Sequence, residues 1–213
     1  MCHKELPENY IFHDKIDLKN NKKQFWIVQG ISLVILVVML VAGYFIDFSF
    51  TGNSYEPFIA LAVLIVGFVV YIILHEAVHG LFMYAFLKAK INFGFCGWAA
   101  YAGSTGYYDK KRYIVIALAP LITFGVIFAV LNVFFHSGMW FWVIWVLQIA
   151  NVSGASGDMF CTYKMLTYPK NILVRDTGIE MTVYRVATEE ELNAMKNADT
   201  ENGDCDDGVK SDD

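Results

Sequence analysis

The stretch that decides the fold is Pro57–Leu87, PFIALAVLIVGFVVYIILHEAVHGLFMYAFL. At 1.5 Å per helical residue it is long enough to cross the roughly 30 Å hydrocarbon core of a bilayer. Its only acidic, basic or imidazole side chains are His75, Glu76 and His79, all within LHEAVHG at 74–80. Such groups are costly inside a bilayer and are expected to be compensated by partners and to serve a function. Another part of the chain must therefore compensate them.

Outward from this run, Phe25–Ile46 and Tyr113–Phe135 are also long and apolar enough to span a membrane, and so is Met139 to about Tyr163. The last turns small and polar at NVSGASGD, residues 151–158. The 213-residue chain is 56% hydrophobic and 16% aromatic with only four prolines, a composition far from that of soluble domains. These features predict an all-α polytopic membrane protein with four transmembrane helices. The first apolar run follows a polar segment too long for a secretory leader, so it is expected to be retained.

Lys and Arg set the expected orientation. They cluster before span one (Lys22, Lys23), between spans two and three (Lys88, Lys110, Lys111, Arg112) and after span four (Lys164, Lys170), whereas DFSFTGNSYEP and HSG contain none. Both termini are then cytoplasmic. The expected organisation is a cytoplasmic segment at 1–24, the four-helix domain at 25–165, a small cytoplasmic αβ element at 166–198 and a disordered acidic tail at 199–213. Between spans two and three, residues 90–112 hold aromatics, glycines and a GSTG turn signal, which predicts a β hairpin. NILVRDTGIEMTVYRV predicts two strands around a turn, and TEEELNAMKN a short capped helix. The net charge of −5 is concentrated in the tail and leaves no basic face for nucleic acid. Cys2, Cys96, Cys161 and Cys205 lack paired short spacing and read as free thiols.

Two histidines at i and i+4 share one helix face, the spacing that hands two imidazole nitrogens to one tetrahedral Zn²⁺. Glu76 stands beside them, where it can take a proton from water that the metal acidifies. A catalytic zinc needs a third protein ligand, and the only acid in span four is Asp158. His79 lies nine residues before Lys88 and Asp158 six before Lys164. These spacings put the two roughly 14 and 9 Å from basic anchors on one side of the bilayer. Small-xxx-small pairs, Ala150 with Gly154 and Ser153 with Gly157, allow span four to approach closely. Asn151 falls on the same face as Asp158.

At these residues the chain resembles the membrane zincins. It is similar to a zincin peptidase family of bacterial integral membrane proteins, over about residues 60–186, through LHEAVHG, KKRYIVIALAP and NVSGASGD. It more distantly resembles the site-2 proteases, which pair HExxH on one membrane helix with an Asn…Asp motif on a later one. The chain differs from these in carrying Gly154 in place of their proline and in spacing Asn151 and Asp158 by seven residues. The resemblance implies one Zn²⁺ per chain on His75, His79 and Asp158, with Glu76 catalytic and Asn151 holding substrate.

The function expected is hydrolysis of a peptide bond in or near a transmembrane segment, with a membrane protein or peptide as substrate. The alternative is a non-proteolytic zinc-binding scaffold or regulatory protein. A transporter is disfavoured because no second polar cluster repeats the first. DTG at 176–178 resembles the turn of aspartic proteases, but Arg175 precedes it and a hairpin turn is the expectation. Cys161, one turn past Asp158, is read as packing.

Overall fold

The computed structural model of the protein describes residues 2–18, 20–46, 56–96 and 99–194. The acidic tail and most of the DFSFTGNSYEP connection lie outside the described residues. In chain order the elements are β1 (Tyr10–Ile16), α1 (Lys22–Ile46), α2 (Glu56–Leu87), β2 (Ile91–Cys96), β3 (Ala99–Ser104), β4 (Tyr108–Asp109), α3 (Lys110–Phe134), α4 (Gly138–Gly154), α5 (Ser156–Thr167), β5 (Ile172–Asp176) and β6 (Met181–Val186).

Helices α1, α2 and α3, with α4 and α5 taken together, make four helical segments long and apolar enough to cross a membrane. Their outer faces carry large exposed apolar side chains, among them Phe45, Phe58, Val133 and Phe134. Local chemistry sets the ends. The Asp109 carboxylate caps α3, accepting from the Arg112 N–H at 3.0 Å. Lys88, at φ 50°, turns the chain out of α2 while its N–H donates to the Tyr84 carbonyl.

The fourth predicted span is divided at Ala155 (φ −74°, ψ 11°). Ser and Gly on both sides of it are weak helix formers. The break places Asp158 in the first turn of α5, where unpaired N–H groups and the helix dipole favour a carboxylate. Helix α2 packs on α3 and α4, and α1 packs on α4 and α5. Gly43 of α1 permits its contact with α4: a Cβ there would lie 2.3 Å from Trp145 Nε1, which donates to the Met39 carbonyl at 3.0 Å.

Four antiparallel strands form a sheet in the order β1-β6-β5-β4. They come from before α1, between α2 and α3, and after α5, so those segments gather at one end of the helices. No element is predicted from the sequence at residues 10–16. Strand β1 arises there because Ile16 enters the core and the β6 edge supplies its backbone partners. Alternate residues Met181 and Val183 of β6, with Ile172 and Val174 of β5, are buried against Met83, Ile116, Phe160 and Met165. Thr188 and Glu191 form the expected reciprocal cap, with Glu191 Oε2 accepting from the Thr188 N–H at 2.8 Å.

The hairpin between α2 and α3 is present as β2 and β3, but GSTG is not its turn. The strands pair Ile91 with Ser104 and Cys96 with Ala99, and residues 97 and 98 between them lie outside the described residues. GSTG, at 103–106, instead ends β3. Gly103 stands where a Cβ would meet the Thr177 carbonyl oxygen at 2.1 Å, so its glycine serves a backbone contact with the β5–β6 turn. DTG forms that turn, with Gly178 at φ 82° and its N–H donating to Asp176 Oδ1 at 2.8 Å.

Candidate metal centre

His75 and His79 lie on the face of α2 that turns toward α5, and both are buried. His75 Nε2 is 3.4 Å from Asp158 Oδ2, and His79 Nε2 is 3.6 Å from Asp158 Oδ1. All three candidate ligand atoms fall within 4.8 Å of one another. Ligands about 2.0–2.1 Å from a tetrahedral zinc lie roughly 3.3–3.4 Å apart, so the set has the span that a single ion requires.

Proton accounting around the rings points the same way. His79 Nδ1 lies 3.0 Å from the Ile116 carbonyl, which can only accept, so Nδ1 carries the hydrogen and the neutral ring keeps its lone pair on Nε2. That carbonyl is free because its helical partner four residues on is Pro120, which has no N–H. On the other ring, the Asn151 amide donates to the Leu121 carbonyl at 3.1 Å, which turns its oxygen toward Tyr71. The Tyr71 hydroxyl spends its one hydrogen on Asn151 Oδ1 at 3.3 Å, and its oxygen accepts from His75 Nδ1 at 3.0 Å. Both imidazoles thus present Nε2 lone pairs to a carboxylate. Three lone-pair atoms this close repel one another unless a cation sits among them, so the donor set fits a divalent metal.

Glu76, the residue after His75, turns to the same cavity, where the Ala102 backbone of β3 faces its carboxylate. The cavity has a volume of about 1020 Å³ and is bounded by α1, α2, α3, the α4–α5 break, β3 and the β5–β6 turn.

The expected residues His75, Glu76, His79 and Asp158 therefore border one cavity. Asn151 is fully buried, with both ends of its amide engaged, and stands behind His75. Cys161 borders the cavity and packs against the core. Tyr71 and Ala102 are not among the residues expected from the sequence, and neither is the role of Pro120 in freeing the Ile116 carbonyl. Tyr71 carried a signal, since 71, 75 and 79 repeat at i, i+4 and i+8 on one helix face. Ala102 carried none, because only tertiary packing lays β3 over α2.

No curated protein and no solved structure matches the chain. Residues 68–173 match a protein family described as "Putative zincin peptidase". That segment contains both histidines, Glu76 and Asp158, and over it the chain is similar to that family.

Proposed function

We propose that the protein is a zinc-dependent membrane metallopeptidase that hydrolyses a peptide bond in or beside a membrane-spanning segment. The observation that carries this reading is the meeting of His75 Nε2, His79 Nε2 and the Asp158 carboxylate at a cavity that Glu76 also faces. One Zn²⁺ per chain would be held by His75, His79 and Asp158. When bound it would supply a lowered pKa for water and a polarised substrate carbonyl.

Glu76 takes the proton of the attacking water at its carboxylate and returns it to the leaving amine. The Ala102 backbone of β3 stands opposite that carboxylate across the cavity. Tyr71 and Ile116 keep the imidazoles turned with Nε2 inward. Asn151, expected from its resemblance to hold substrate, has its amide committed to Tyr71 and Leu121, and we assign it to positioning His75 through Tyr71. Ala102 directs its N–H away from β2, and Ala100 shares that edge by the two-residue period of a strand. With Ala102 turned to Glu76 and the β5–β6 turn, an extended substrate can pair at Ala100.

In this proposal the four helical segments cross the bilayer, with the basic ends and the sheet on the cytoplasmic side. The division of ligands between α2 and a later helix is that of the site-2 proteases. Helical substrates hide their peptide bonds, so the segment cleaved must unwind to reach the cavity.

Metal content of the purified protein tests the proposal. Wild type is expected to hold one zinc per chain, with His79→Ala and Asp158→Ala losing it. Glu76→Gln is expected to keep the zinc and lose cleavage of a peptide substrate. A wild type without stoichiometric zinc overturns the proposal, and a Glu76→Gln protein that cleaves as wild type does reduces the cluster to a scaffold.

A further inference from the structure

The cavity is bordered by four carboxylates, Glu76, Asp158, Asp176 and Glu180, and by no lysine or arginine. Glu76 and Asp158 belong to the metal centre, and Glu180 is paired with Lys15. Asp176 has no cationic partner among the described residues. Its Oδ2 accepts from the Tyr113 hydroxyl at 2.5 Å and its Oδ1 from the Gly178 N–H at 2.8 Å. Both are neutral donors, which hold the carboxylate in place without cancelling its charge. Burial pushes the Asp176 carboxyl up from its ordinary range, against the pull of these two hydrogen bonds. A buried carboxylate in this condition is relieved by a cation that the chain itself does not supply.

Its placement relative to substrate is set by backbone contact. Gly103 of β3 fits against the Thr177 carbonyl, and Gly178 stands where a Cβ would lie 2.2 Å from the Tyr101 ring and 3.1 Å from the Ala102 oxygen. The β5–β6 turn that carries Asp176 is therefore seated on the strand whose Ala102 shares the cavity with Glu76. A peptide entering the cavity beside β3 passes both carboxylates, and the low-dielectric walls focus the field of Asp176 on whatever side chain reaches it.

We propose that Asp176 is a specificity-determining residue, selecting peptides that present a lysine or arginine side chain beside the bond offered to the His75–His79–Asp158 cluster. The inference rests on the peptidase reading above and names its substrate class. Basic residues flank membrane segments on their cytoplasmic side, which is where the proposed orientation puts the cavity.

The test uses the whole zinc-loaded chain in detergent and N-acetylated fluorogenic peptides in which Lys, Gln or Glu occupies each successive position. A charge-assisted contact of this kind is expected to raise kcat/KM for Lys over Gln at one position by about tenfold to a hundredfold, with Glu below Gln. In Asp176→Asn the Lys-to-Gln ratio is expected to collapse to near one, and Asp176→Glu should keep its sign. Binding of the same peptides to Glu76→Gln protein, followed by fluorescence anisotropy, separates recognition from cleavage. If wild type cleaves nothing, the peptidase reading fails. The Lys-to-Gln ratio of Kd in Glu76→Gln, with and without Asp176→Asn, then decides the role of Asp176. A ratio near one in both the wild-type cleavage and the Glu76→Gln binding experiments overturns the proposal, as does a preference that survives Asp176→Asn.

Discussion

Replacing Tyr71 by phenylalanine removes one oxygen from the interior and leaves every candidate ligand in place. That oxygen is the acceptor for His75 Nδ1 and the donor to Asn151 Oδ1, at 3.0 and 3.3 Å. Two effects are expected, and they separate. The His75 ring loses the partner that fixes its orientation and tautomer, and loss of such an outer contact weakens metal binding about tenfold to a hundredfold. At 1.4 kcal/mol per decade this is roughly 1.4–2.8 kcal/mol. Asn151, which is 0% exposed, is also left with an unpaired oxygen, costing about 1–3 kcal/mol of stability in the metal-free protein. Zinc affinity is to be measured by competition with a chromophoric chelator on the whole chain in detergent, and stability by unfolding the metal-free protein. A merely structural hydroxyl changes stability and leaves the zinc Kd alone. If Tyr71→Phe binds zinc within about twofold of wild type, well short of that expectation, the positioning argument is refuted.

Pro120→Ala tests the other imidazole with a change of opposite sign. It returns an N–H that competes for the Ile116 carbonyl, so zinc affinity should fall by about tenfold while the α3 helix itself gains stability; chelator competition and unfolding of the metal-free protein read the two. Gly103→Ala forces a Cβ against the Thr177 backbone and should cost at least about 1–3 kcal/mol by unfolding, because neither backbone can yield cheaply. An alanine protein as stable as wild type contradicts the contact between β3 and the turn. Glu191 is held down to about 2 by the hydrogen bond from Arg185, with the Thr188 N–H adding to it. A carboxyl lowered on folding stabilises above its ordinary value near 4.5 and loses that contribution as pH falls through the lowered value. Hydrogen-exchange protection at 188–194, corrected for intrinsic rates, should therefore fall between those two pH values in wild type, and an equal fall in Glu191→Gln would falsify the assignment.

Much of the architecture was legible because its causes are local. Apolar runs about as long as the bilayer is thick predict the four helical segments, and the i, i+4 spacing of His75 and His79 places both rings on one face whatever surrounds them. Asp158 could be paired with them because helical rise converts sequence distance into depth. What a linear reading misses depends on contacts between segments remote in the chain. Residues 10–16 hold no decisive pattern of their own and become a strand only because β6, about 170 residues later, offers an open edge. The glycines of GSTG look like a turn, but Gly103 serves a contact with Thr177, which lies 74 residues further along the chain.

The candidate site divides along the same line. The sequence by itself determined the candidate ligand types, their spacing and the helical frame, since side-chain chemistry and the 3.6-residue period need no partner to act. Only the tertiary structure decided which nitrogen of each imidazole faces inward, because that depends on the Tyr71 hydroxyl and on a carbonyl left free by Pro120 on another helix. It also decided that Glu76 lies under β3 and that Asp176, in a turn with ordinary turn chemistry, shares the cavity of the candidate metal centre. Hydrogen-bond partners and cavity walls are relations between segments, and they come into existence when the chain packs.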